Sequence, residues 1–318
     1  MSKEIDNIFS DKMGDEITKE LKNKRKKYNF KLISKTIALT LAILIFLGLL
    51  LNVVSDKVLE HSFDKQSSLL YKEYTIMHPN EYIGERKYLE TGLFKSLTLF
   101  DIGKVIGSKV VDGGTRNLVN GIQFGKVGTV YSEYKDHYID QDITKRSYNT
   151  NGLRKLNFML PYVNYENTIN DFGYLEEIDD DKYVEMVISF DKEYSYEEVN
   201  NSFDSSGISF YWIDLSSDEE KINYEENKVY LTENEVMGIK SITGDGKVIA
   251  DENERLNEYK EAIAYLKHNK YRGIIENYHK DYTNISGIVV QGTPKELIQL
   301  KNSPMIKHAI LGNITDKF

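Results

Sequence analysis

No cysteine occurs anywhere in the 318 residues. That removes disulfide frameworks, thiolate nucleophiles, iron–sulfur clusters and every Cys-ligated zinc site. Proline is scarce at 4 residues, and 21 glycines carry no regular period, which excludes collagen-like and Pro-rich character. Charge is missing altogether from Thr36 to Val54, and that local absence organises the rest of the chain.

The overall charge of −9 hides an opposition of signs. Residues 1–35 hold ten basic and six acidic side chains, net +4; residues 36–54 hold none; residues 55–318 therefore carry −9 − 4 = −13. The uncharged run reads TIALTLAILIFLGLLLNVV. About 20 apolar residues in a helix span a hydrocarbon core of about 30 Å, so residues 36–55 are expected to be a membrane helix. Lys22, Lys24, Arg25, Lys26, Lys27, Lys31 and Lys35 precede it with no acid among them. The positive-inside rule then places the N-terminus in the cytoplasm and the acidic remainder outside. A cleaved signal peptide fits poorly, because the basic region is too long and no small-x-small site follows the apolar run. Lys22, Lys24, Arg25, Lys26 and Lys27 are expected at the membrane surface, touching anionic headgroups rather than nucleic acid.

In the tail, Ile5, Ile8, Phe9, Met13, Ile17 and Leu21 recur at three- and four-residue steps, an apolar stripe on a helix. Some 35 residues bury too little surface to fold alone, so the stripe lies on the membrane or folds on a protein partner. Ile5, Ile8, Phe9, Ile17 and Leu21 are the candidate contacts. Ser55–Lys72 reads as a polar helical stalk whose contacts would be Val58, Leu59, Phe63, Leu69 and Leu70. Beyond it, Tyr74–Met77, Phe94–Phe100, Val105–Val111 and Ile122–Tyr131 read as short extended runs punctuated by glycine. Asp136–Gly152 is polar and reads as a loop or domain boundary. The resulting division is 1–35 tail, 36–55 span, 56–150 stalk and β-rich region, and 151–318 an α+β domain.

The last region repeats one order of elements. Val184–Phe190, Ser195–Phe203 and Ile208–Leu215 read as strand, helix, strand; Ile285–Gly292, Thr293–Lys301 and Ile306–Ile314 repeat it. Both helices open on a capping box, Ser195 with Glu198 and Thr293 with Glu296. Two such units in one sheet make a ferredoxin-like split β-α-β arrangement. Between them, Thr243-Gly244-Asp245-Gly246 is a hairpin turn rather than a nucleotide fingerprint, and Asn253–Asn269 is a helix with Leu256, Tyr259, Ile263 and Leu266 on one face.

Chemistry is hard to find. His61, His78, His137, His268, His279 and His308 form no H-E-x-x-H or other close pair, and there is no G-x-S-x-G elbow or P-loop. Neither catalytic residues, metal ligands nor a cofactor are expected. The acidic runs Glu176–Asp181 and Asp218–Glu220 lack EF-hand spacing and read as solvated turns. Tyr194, Tyr196, Tyr211 and Trp212 could stack sugars, although alternate strand positions more often feed a core.

The residues Leu160-Pro161-Tyr162, Glu185, Ser189-Phe190-Asp191-Lys192, Tyr194, Glu198-Val199 and Trp212 resemble one known family. So do Gly287-Ile288-Val289-Val290-Gln291-Gly292-Thr293-Pro294, Glu296-Leu297, Leu300-Lys301, Ile306-Lys307 and Leu311-Gly312. The family is the single-pass sigma-factor regulators, the membrane-anchored anti-sigma factors, of low-GC Gram-positive bacteria. Glu20–Lys35 is similar to that family's basic juxtamembrane segment. The resemblance implies a non-enzymatic regulator whose tail sequesters an extracytoplasmic-function sigma factor and whose outer domain senses the envelope. So short a tail would fold on that partner or act together with a second membrane protein. The competing expectation is an envelope protein whose outer domain binds wall polymer or a protein, with the tail as an anchor; an extracellular hydrolase ranks below both.

Overall fold

The computed structural model describes residues 11–123, 126–131, 137–138, 146–149, 151–269 and 284–317. One helix, α1, runs from Asp11 to Ile76. Its 66 residues contain no proline and are rich in Leu and Lys, so nothing interrupts a rise of 1.5 Å per residue. Thr36 and Thr40 turn their hydroxyls back onto the Leu32 and Thr36 carbonyls, at 3.0 and 2.9 Å, keeping these polar groups satisfied within the helix. The helix is long and apolar enough to cross a membrane. It stops where Pro79 disfavours helical backbone at the residue before it: His78 and Asn80 take positive φ, 53° and 65°.

Residues 1–58 and residues 59–318 form two compact units. The second opens with the expected stalk. Leu59, Leu69 and Leu70 are buried, and Val58 and Phe63 are half-buried. The stalk differs from expectation at its end, since Tyr74–Ile76 is the last turn of α1 and not a strand. Tyr74 and Ile76 are both buried there, so packing overrides their β propensity.

Strands β1 (Glu81–Gly92), β2 (Lys95–Ile106), β3 (Lys109–Gln123) and β4 (Lys126–Tyr131) form an antiparallel meander in that order. Ile83, Phe100, Ile102 and Leu118 close over Leu70 and Tyr74 of α1. Three expected strands change here. Phe94 is a turn residue at φ 54°; Val105–Val111 is broken by the turn at Gly107, φ 61°; Ile122–Tyr131 spans the end of β3 and all of β4. Most of Asp136–Gly152 lies outside the described residues; within it β5 (His137–Tyr138) pairs with β6 (Ser147–Tyr148).

The C-terminal sheet has the order β11-β9-β12-β8-β13, with every neighbouring pair antiparallel. Strand β8 (Lys182–Tyr194) leads through α2 (Tyr196–Ser202) to β9 (Ile208–Ile213). After it β12 (Ile285–Gly292) leads through α5 (Pro294–Leu297) and a 3-10 turn to β13 (Ile306–Asp316). Each unit thus admits a strand of the other between its own two, which is the split arrangement read from the sequence, within an α+β chain. Both capping boxes are present, Ser195 with Glu198 and Thr293 with Glu296. Helix α4 (Glu252–His268) buries Tyr259, Ile263 and Leu266 as its spacing predicts.

Helix α3 (Asp218–Asn227) is an addition to the expected elements. The acidic run Asp218–Glu220 is its first turn, beneath a third capping box on Ser217, where negative charge suits the helix N-terminus. Short pairings β7 (Asn157–Phe158) with β10 (Leu231–Thr232), and the edge strand β11 (Met237–Lys240), complete the domain. Residues Tyr211 and Trp212 are buried in the cores on the two opposite faces of β9, so they offer no sugar-stacking platform. Tyr194 and Tyr196 are packed against the Tyr211 side.

Candidate functional site

The site that joins most elements of residues 59–318 is the corner after α1. A helix leaves its last four carbonyls without partners. Here one buried side chain takes up one of them together with three carbonyls of the chain that follows the helix. Lys240 Nζ, from β11, donates to the carbonyls of Tyr74, Met77 (3.2 Å), His78 (3.1 Å) and Glu81 (2.6 Å). Burial pulls its ammonium down to about 7, with Glu81 opposing and Lys104 adding to the fall. Four acceptors around one nitrogen favour the ammonium, because a neutral amine has only two N–H groups to give.

The turn after β11 grips the same helix. Gly244 N donates to Thr75 Oγ1 at 3.0 Å, and Gly244 O accepts from Ile83 N at 2.8 Å. A Cβ on Gly244 would lie 1.9 Å from the Tyr71 carbonyl oxygen, so no side chain fits. Gly246, at φ 87°, completes the turn that the sequence suggested.

Around Lys240 lies a buried ionic cluster. Glu73, in the last turns of α1, accepts from Arg116 Nη2 at 3.1 Å and lies 3.1 Å from His78 Nε2. Burial drives the His78 imidazolium down to about 4, against the attraction of Glu73. Lys104 of β2 meets Glu233 at 2.9 Å and Glu185 of β8 at 3.5 Å. Burial alone would discharge Lys104, but Glu185, Glu233 and Glu81 outweigh it and raise its pKa. Asn80 donates to Glu185 at 2.5 Å, and Asn313 of β13 donates to the other oxygen at 2.9 Å. Glu81 is pushed up to about 8, by burial first and then by Glu233, with Lys104 and Lys240 opposing. Lys104 thus faces Glu81, Glu185 and Glu233, while Arg116 faces Glu73.

This arrangement pairs no nucleophile with a base and a substrate-sized opening. What it can do is fix geometry. Removing one member of such a cluster strands a charge, so the cluster tolerates only discrete arrangements. The end of α1 also enters both neighbouring cores, with Leu70 and Tyr74 in the meander core and Leu69, Ile76 and Met77 in the split-sheet core.

The tail residues singled out from the sequence fall elsewhere. Ile17 and Leu21 lie one turn apart on α1, 55% and 62% exposed. Ile5, Ile8 and Phe9 are outside the described residues. Lys22, Lys24, Arg25, Lys26 and Lys27 are exposed on α1. Among the described residues no group of three His, Asp or Glu could hold a metal ion. In the acidic run before β8, Glu176, Asp180 and Asp181 lie near Lys301, Lys295 and Lys182. The corner cluster was missed by sequence reading, because its members are far apart in the chain.

No curated protein and no solved structure matches the chain. Residues 175–313 match the family model described as sigma factor regulator C-terminal. That stretch contains the split sheet from β8 onward and most of the residues on which the sequence resemblance rests, and over it the chain is similar to the sigma factor regulators.

Proposed function

We propose that the protein is a membrane-anchored anti-sigma factor. Its cytoplasmic tail sequesters an extracytoplasmic-function sigma factor, and its outer domain senses the state of the envelope. The observation that carries this reading is the pairing, in one chain, of a region similar to the sigma factor regulator C-terminal family with a membrane-length helix. The basic residues before that helix support a cytoplasmic tail and an outer residue 56–318 region. The tail's apolar positions support a segment that folds on its partner by inserting a few side chains into a groove. The corner cluster is then the place where a change in the outer domain reaches α1.

The test is to delete residues 2–21 while keeping the basic cluster and the span, and to measure genome-wide transcription. One sigma-dependent set of genes should rise, and Phe9→Asp with Ile17→Asp should raise the same set, whereas Lys12→Ala and Lys19→Ala should change little. A deletion that stays in the membrane and alters no sigma-dependent transcription would leave the tail as a mere anchor.

A further inference from the structure

The hairpin of β1 and β2 runs back along α1, and residue pairs fix its direction. Arg86, Phe100 and Arg116 lie in one row across the sheet, and Arg116 reaches Tyr74 at 3.3 Å. Further along, Asn120 lies opposite Ser96 and meets Ser62 Oγ at 3.5 Å. The strands therefore descend as the helix numbers fall. From Ser96 to Lys95, where β2 begins, is about 3.4 Å of strand, and the turn at Leu93 and Phe94 projects beyond it. From Ser62 to Leu59, where this unit begins, is three residues of helix, about 4.5 Å. The turn thus reaches the Leu59 end of the unit or beyond it. Leu59 follows Val54, the end of the uncharged run, by only five residues, which span at most about 18 Å in any conformation.

The side chains at this end are wrong for water. Leu93 is 57% exposed, Tyr88 52% and Leu89 47%, all on one hairpin, and exposed Lys87 and Lys95 flank them. Leucine at a tip, tyrosine about 13 Å back along β1 and lysine beside them is the composition of a membrane interface. We propose that the β1–β2 turn is a second membrane contact, with Leu93 inserted into the headgroup region of the bilayer that α1 crosses. The occupant is a lipid surface because the chain's own span ends within reach of the turn. This contact gives the outer domain a fixed footing on the membrane, independent of what the tail binds.

The absence of cysteine permits single reporters. The full chain carrying Leu93→Cys, Leu89→Cys or Val110→Cys, labelled with an environment-sensitive nitrobenzoxadiazole dye, is placed in phosphatidylcholine–phosphatidylglycerol vesicles. Val110, also exposed, sits beside the β2–β3 turn at the far end of the sheet. Emission at position 93 should shift to the blue and be quenched several-fold more by brominated acyl chains than emission at 110, with 89 between them. Emission at 93 as red and as unquenched as at 110 overturns the proposal. So does a blue shift at 93 that brominated lipid fails to quench, which would mean that a protein surface, including a second copy, covers the turn. The three positions are exposed, and melting curves matching the unlabelled chain verify that folding is intact; Leu89→Cys carries the test alone if Leu93→Cys fails that control.

Discussion

At the scale of single residues, the corner after α1 is expected to make the stability of residues 59–318 depend on protons. His78 is faced by Glu73 of α1, Arg116 of β3, Lys240 of β11 and the Asn234 amide, and it stacks on Tyr74. Its folded pKa of about 4 lies below the ordinary 6.5, so between these values the unfolded chain binds more protons. The contribution is complete above pH 6.5 and is lost as pH falls through 4, by then on the order of 3 kcal/mol. Glu81, raised to about 8, acts oppositely above its ordinary carboxylate range, so a net slope alone would mislead. Comparison of the full chain with His78→Gln isolates the effect: melting between pH 6.5 and 4 should fall less in the variant. An equal fall in both would show that His78 does not titrate in this window. None of this was legible in the sequence, since Lys240 and its acceptor Tyr74 are 166 positions apart and no local pattern announces the pairing.

Single elements were much easier to read. Strand–helix–strand order, both expected capping boxes and the buried face of α4 follow from residues within one or two turns of each other, where spacing and propensity act. Helix α3 escaped because it buries none of its residues and so has no apolar period. Tyr74–Ile76 misled in the other direction, since β-favouring residues at a helix end are decided by two cores that the local sequence does not contain. The turn at Gly244 combines both cases: its glycines mark a hairpin, but its docking on α1 depends on distance in space. Gly244→Ala must push the turn away from the Tyr71 carbonyl. Overpacking of this kind costs about 1–3 kcal/mol. Gly173→Ala, with open space around the new methyl group, should stay within about 0.5 kcal/mol. Urea unfolding of the two variants measures the difference, and equal values would mean that the turn moves freely against the helix.

For the whole molecule, the decisive quantity is which side of the membrane each charged region occupies. Orientation follows the asymmetry of Lys and Arg close to the span, and here seven basic residues lie on one flank against Lys57 alone within a few residues on the other. The acidic region after the span contributes little to that rule, so the prediction rests on the cluster from Lys22 to Lys35. A chain without native cysteine again makes the measurement direct. In intact wall-stripped cells, Ser202→Cys, exposed at the end of α2, should react with a membrane-impermeant maleimide, while Ser2→Cys should react only after permeabilisation. Replacing Lys22, Lys24, Arg25, Lys26 and Lys27 with Gln should weaken that preference and bring a fraction of Ser2→Cys to the outside. The opposite labelling in the unaltered chain would put the sigma factor regulator region in the cytoplasm. Sequestration by the tail would then be impossible, because sigma factor and tail would lie on opposite sides of the bilayer.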